Sequence, residues 1–351
     1  LMAQYFTERL QKVFHMIFTS YNQEMAQEGL RQLELIVNNQ HTPEQPNHRA
    51  LRNDMTTSLE NEIDTKEDAL KIANNPEARE IADAYALLAR IYAGPRFTWE
   101  ESNFPENNMR TYQCLHDSIR RCSPIGTLQA LRINGTITPT VEKDMLISFD
   151  DAFRIVYDYA EQGDAFCQYI IGNVFFWRDD DHISLARDMI TPPRLSLAKR
   201  IQQSLQKGSI QERLIALQGT ISNETLQDNA TKLAKEWFNK ALNNGLAMFQ
   251  GNLRNIYIDE GDFNNARRVA LTAAELGNPT MMLYTGLDCH ENGKFEDAFT
   301  WFTKGAALGQ AESTAELADY YYHFYDAKEL RRVIPYDPVK AIGLYRRAAT
   351  K

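Results

Sequence analysis

The run RDDDH, Arg178 to His182, holds the densest set of side chains able to bind a metal or move a proton. Carboxylates beside an imidazole could ligate a divalent cation. Three adjacent carboxylates cannot all face one ion in regular structure, however, and no second ligand group stands nearby in sequence. The run reads as a solvated loop, and no metal is expected. His182, His290 and His323 have no serine or cysteine nucleophile at a recognisable spacing, so no catalytic residue is expected. Cys114, Cys122, Cys167 and Cys289 make no C-x-x-C and meet no histidine at zinc spacing. They read as reduced thiols. The glycines mark helix ends rather than a phosphate-binding loop, and no cofactor is expected.

The elements that would carry a site repeat along the chain. GKFEDAFTWFTKGAALGQA, Gly293 to Ala311, reads like GDFNNARRVALTAAELGNP, Gly261 to Pro279. Anchored on Ala298, aromatics follow at Trp301 and Phe302, then Ala306, Gly309 and Ala311. Ala266 brings Ala274, Gly277 and Pro279 at the same offsets. Ala234 brings Trp237, Phe238, Gly245 and Ala247, and Ala152 brings Ile155, Val156, Ala160 and Gly163. Ala341 brings Leu344, Tyr345 and Ala349. From Ala234 onward the anchors step by 32, 32 and 43 residues, the last step holding the insert DAKELRRVIPYDPVK. Arg110 and Ala198 read as anchors of two degenerate units, the second ending at Gly208.

These offsets share one helical face, with a glycine C-cap to release the chain. The helix that follows each turn carries a small residue seven positions in: Ala89, Gly172, Gly286 and Ala318. Arg254 stands in one such place, so packing over 247–258 should be irregular. A single helix pair cannot bury its apolar face, whereas stacked pairs can. The fold class is therefore all-α: an α-solenoid of antiparallel helix-turn-helix repeats, turning at Gly163, Gly245, Gly277 and Gly309, with no β-sheet.

The stretches YTGLDCHENGKFEDAFTWFTKGAALG, AKEWFNKALNNG, VKAIGLYRRAAT and YALLARIYAG resemble the tetratricopeptide superfamily, and more closely its Sel-like repeat (SLR) branch. The resemblance runs from about Glu77 to the end. It implies that the first helix of each unit lines a concave groove where another protein binds. Carried over by position, the groove residues are Phe166, Tyr169, Asn173, Phe176 and Trp177; Thr280, Leu283, Leu287 and His290; and Asp319, Tyr322 and His323. Leu283 and Leu287 stand where a carboxylate clamp would need polar groups, which disfavours that kind of co-chaperone. YYYHFY, Tyr320 to Tyr325, with the arginines of the following insert, is a second candidate surface.

The resemblance implies a protein–protein interaction scaffold or regulator, of the kind found among bacterial effectors and their regulators. It would be cytoplasmic, or secreted into a host cytosol. The alternative is an enzyme on an α-helical scaffold whose site the sequence does not reveal. Of the 351 residues 43% are hydrophobic and 24% charged, with a net charge of −9, so nucleic acid is not expected as a partner. No run of about 20 apolar residues would span a bilayer, and no membrane insertion is expected. Residues 1–76 read as a helical N-terminal cap and 77–351 as the repeat array. In the cap, Phe6 to Tyr21 form one apolar stripe that Leu30, Leu33 and Val37 continue past Gly29. A proline-bearing loop and a helix marked by Leu51, Met55, Leu59 and Ile63 follow. The last unit's capping glycine would fall one residue past Lys351. The sequence thus leads one to expect a further helix, with the insert before Pro338 as the other means of covering Leu344 and Tyr345.

Overall fold

A computed structural model describes residues 3–38, 65–133 and 139–350. The loop and helix expected over 39–63 lie outside the described residues. Among the described residues there are helices and no strand.

Six antiparallel pairs build the array. The first is α4 (Glu80–Tyr92) with α5 (Asn108–Arg120), the second α6 (Pro124–Ile133) with α8 (Phe149–Glu161). The third is α9 (Ala165–Phe176) with α13 (Asn223–Asn243), the fourth α14 (Gly251–Asp259) with α15 (Phe263–Glu275). The fifth is α16 (Pro279–Glu291) with α17 (Phe295–Ala307), the sixth α18 (Ala311–Tyr322) with α20 (Pro338–Ala349). Ala152, Ala234, Ala266, Ala298 and Ala341 are all buried, as the offsets require. In the second helix of the first pair, Cys114, Leu115 and Ser118 are buried, while Arg110 in the anchor place is only half-buried.

The junctions between pairs follow one local rule. A residue in the left-handed region ends one helix, and the next side chain caps the following one. Gly163, Gly277 and Gly309 have φ of 101°, 107° and 86°, and Cys122 fills the same role at 68°. Asp164, Asn278 and Gln310 then accept the backbone N–H of Cys167, Met281 and Ser313. Gly245 also turns, at 90°, but Leu246 has no capping oxygen. The chain there runs on through Phe249, itself left-handed, before α14 starts at Gly251. This is the irregularity expected around Arg254.

Added sequence enters elsewhere, between the two helices of a pair. The second pair holds α7 (Pro139–Asp144), and the sixth holds α19 (Lys328–Val333). The third holds α10 (Ser184–Ile190), α11 (Leu197–Leu205) and α12 (Ile210–Gln218). The unit expected at Ala198 is therefore corrected. Ala198 is exposed on α11, and α11 and α12 form a hairpin inserted into the third pair. Its amphipathic pattern imitates a repeat, but its apolar side chains stay exposed among the described residues.

The N-terminal helices α1 (Glu8–Phe18) and α2 (Gln23–Val37) pack together, broken at Tyr21 with φ 48°. Gly29 lies inside α2, where a Cβ would stand 2.6 Å from Ile17. It permits close approach rather than ending a stripe. The N-terminal segment also reaches well into the array. Tyr5 N–H donates to Asp164 at 2.9 Å, and Phe14 lies 4.9 Å from Phe166. The short helix α3 (Lys66–Ala73) buries Ala69 and Ala73. At the other end Leu344 is buried in a cluster with Leu330 and Ile334 of the insert.

Ala298 and Ala306 are buried at the seam of the fifth pair. Leucine at either is expected to lower stability by about 1–3 kcal/mol through overpacking, read as a lower urea midpoint.

Candidate interaction surface

The residues picked from the sequence separate by burial. Phe166, Tyr169, Asn173 and Leu283 are buried and cannot serve as a docking face. The reason is long-range: Phe6 and Phe14 cover Phe166, and Phe249 stacks on Tyr169 at 4.4 Å. Phe176, Thr280, Leu287, His290, Asp319 and His323 are half-buried. Three of these are tied up within the C-terminal units, with His323 bonding the insert itself. His290 Nδ1 hydrogen-bonds Tyr320 Oη at 2.7 Å, His323 Nε2 meets the Ile334 carbonyl at 2.7 Å, and Asp319 accepts from Tyr345 Oη. Trp177 and Tyr322 are exposed, at 46% and 47%. In the YYYHFY run Tyr320 is core, whereas Tyr322 and Phe324 face solvent, Tyr322 beside Tyr336.

A cleft that the sequence pointed to only indirectly lies between α14, α15, α16 and α17. In the third and fifth pairs glycine on the first helix admits phenylalanine from the second. A Cβ at Gly172 would stand 2.6 Å from Phe238, and one at Gly286 2.5 Å from Phe302. The matching residues of the fourth pair are Arg254 and Ala270. With alanine rather than a ring at position 270 and no capped start to α14, a space of about 760 Å³ stays open. Arg254 crosses it, its guanidinium 3.9 Å over the Tyr284 ring. Phe263, Leu271 and Trp301 supply apolar walls, and Leu287 from the original set also lines it. Arg267 and Asp288 bond across it at 2.6 Å. Thr285 Oγ1, buried on the wall, has no hydrogen-bond partner. The available signal was the missing aromatic four residues after Ala266, read together with Arg254.

The carboxyls Asp179 and Asp83, both displaced upward, lie away from this cleft, whereas burial raises the thiol of Cys289 on its wall. In RDDDH, Asp179 pairs with Arg132 at 2.5 Å, and Asp180 with Arg178 at 2.8 Å and Arg187 at 2.6 Å. Asp179 and Asp180 are thus buried and clamped by arginines rather than solvated as expected, whereas Asp181 stays exposed. No group of three or more possible metal ligands occurs among the described residues. Burial, partly offset by Arg132, pushes the Asp179 carboxyl up to about 7. Burial likewise lifts Asp83 to about 6 against the pull of Arg79. The Cys114 and Cys122 thiols are pushed up to about 12 by burial.

The two raised carboxyls give a pH dependence. An acid whose value rises on folding holds its proton more tightly folded than unfolded, so protonation stabilises the fold. That stabilisation is complete below the unfolded value near 4 and is lost as pH rises through about 6 for Asp83 and about 7 for Asp179. The chain is expected to resist urea better at about pH 5 than at about pH 7.5. Asp179→Asn should flatten the upper part of that profile.

The geometry defines an all-α repeat protein, a stack of helix pairs with an open cleft in its fourth pair. The chain is similar to a solved Sel1 repeat protein from Oxalobacter formigenes, at 15% identity and a TM-score of 0.38, over 84% of this chain and 95% of that one. It is also similar to a protective antigen present in uropathogenic Escherichia coli strains that displays an SLR fold. That match has 15% identity and a TM-score of 0.32, over 97% of this chain and 60% of the other. No family model and no curated protein matches.

Proposed function

We propose that this protein is a non-enzymatic interaction scaffold or regulator that holds another protein on its repeat surface, with the cleft of the fourth and fifth pairs as the docking site. The carrying observation is Arg254, a cation with no carboxylate partner among the described residues, held over Tyr284 in a cleft walled by Phe263, Leu271 and Trp301. Aromatic and arginine side chains in a partly desolvated hollow are the usual anchors of protein interfaces. The hollow fits an apolar side chain flanked by an acidic group. The raised carboxyls Asp83 and Asp179 are buried in structural networks away from this cleft, and the Cys289 thiol on its wall is pushed up by burial, away from a reactive thiolate, which favours binding over catalysis. The finer reading, a regulator that clasps another protein in the manner of a bacterial effector, rests on the resemblance of the repeats.

The test is affinity purification with the chain as bait, followed by calorimetric titration of the recovered partner. Tyr284→Ala and Trp301→Ala are each expected to weaken binding about tenfold or more with an unchanged fold. Binding that depends on Trp177 or Tyr322, and not on these two, would move the site to the other exposed aromatics. A turnover reaction abolished by Arg254→Ala would favour the enzyme alternative.

A further inference from the structure

The inserted hairpin is an amphipathic element without a second side. Leu197, Ile201 and Leu205 recur every four residues along α11, and Ile210, Leu214 and Leu217 line α12. All six are exposed, Leu205 at 74% and Ile210 at 77%. Among the described residues the two helices pack chiefly on each other rather than on the body of the array. The Ser204 hydroxyl joins them by donating to the Arg213 carbonyl at 3.1 Å. Helices of nine residues are marginal in water without a covering surface.

Its charge is opposite to that of the rest of the molecule. Residues 192–220 carry Arg194, Lys199, Arg200, Lys207 and Arg213 against the single acid Glu212. The remainder of the chain has 33 basic and 46 acidic side chains. Nearby Arg132, Arg178 and Arg187 are each paired with an aspartate. None of the five hairpin cations meets a carboxylate among the described residues. Arg200 and Arg213 donate only to the carbonyls of Leu217 and Lys207. Exposed on nearly every side, the hairpin is a ridge rather than a groove. An aliphatic ridge flanked by unpaired cations matches a deformable apolar phase with a negative surface. A second copy's hairpin would bring the same positive charge and be repelled.

We propose that the α11–α12 hairpin docks the protein on the surface of an anionic lipid bilayer. The Leu and Ile side chains enter the acyl boundary, and the lysines and arginines meet headgroup phosphates. The hairpin lies on the bilayer rather than crossing it; among the described residues no helix is long and apolar enough to span one. The acidic body stays in solution, its repeat surface free. This inference does not depend on the cleft reading.

The experiment is co-sedimentation of the full chain with phosphatidylcholine vesicles, with and without about one quarter phosphatidylserine. Anionic vesicles are expected to capture the protein and neutral ones not. Capture should fall about tenfold or more in high salt, in Leu205→Glu with Ile210→Glu, and in Lys199→Glu with Lys207→Glu. Both double variants should keep the parent's denaturation midpoint, because the hairpin adds nothing to the core. Absence of capture, equal capture by neutral vesicles, or capture indifferent to the first double variant overturns the proposal. So does a concentration-dependent dimer in sedimentation velocity that the first double variant abolishes, which would assign the ridge to a second copy.

Discussion

Asp83→Ala is expected to lower the stability of the chain by about 3–5 kcal/mol, the usual cost of stranding one partner of a buried ion pair. Asp83 and Arg79 are both buried, with Nε 3.0 Å from the carboxylate. The same carboxylate accepts from Tyr5 Oη at 3.1 Å and Ser123 Oγ at 2.7 Å. Arg79 donates its remaining bonds to the carbonyls of Ala73 and Tyr5, at 2.7 and 2.6 Å. One carboxylate thus joins the N-terminal segment, α3, α4 and the junction before α6. Alanine leaves a guanidinium without a counter-charge and two hydroxyls without an acceptor. Asp83→Asn retains an acceptor oxygen and should lose less. Urea unfolding at neutral pH measures both, and equal midpoints for parent and alanine variant would dissolve the network.

Phe302→Ala is the second large effect, about 3–5 kcal/mol, because the ring is fully buried and fills the hollow that Gly286 leaves. The fourth pair already contains the inverse arrangement, Arg254 with Ala270. Restoring volume from the other side, as Gly286→Leu with Phe302→Ala, should therefore recover part of the loss. The double-mutant cycle should show coupling of about 1 kcal/mol or more. Gly286→Leu alone should be destabilising, because its Cβ meets the ring. Strict additivity of the two losses would mean that the contact is not what sets the spacing of α16 and α17.

The register of the repeats was legible because it is local. Anchor alanines, the small-residue seam and the turn glycines all act within one or two helices, and Ala152, Ala234, Ala266, Ala298 and Ala341 are all buried. The cover over each helix was not legible, because it arrives from far along the chain. Phe166 and Tyr169 look like groove residues until Phe6, Phe14 and Phe249 close over them. Ala198 fits a repeat offset, yet an amphipathic pattern cannot say whether a partner helix exists. Of the residues expected on the concave face, Leu287 lines the cleft, whereas His290 and Asp319 bond tyrosines of the sixth pair and His323 bonds the insert.

The placement of the inserts divides the array into a closed rim and an open one. Junctions between pairs at 121–123, 162–164, 276–278 and 308–310 are three residues long, and each is fixed by a left-handed turn. The crossings inside pairs hold everything from three residues at 260–262 to the whole of 177–222. Growth on the open rim leaves the stacking distance between neighbouring pairs unchanged, so new recognition elements can be grafted there without retuning the core. A reporter peptide spliced in place of 197–218 should be carried as cargo by an intact scaffold, whereas one residue added at 276–278 should throw the following pairs out of phase.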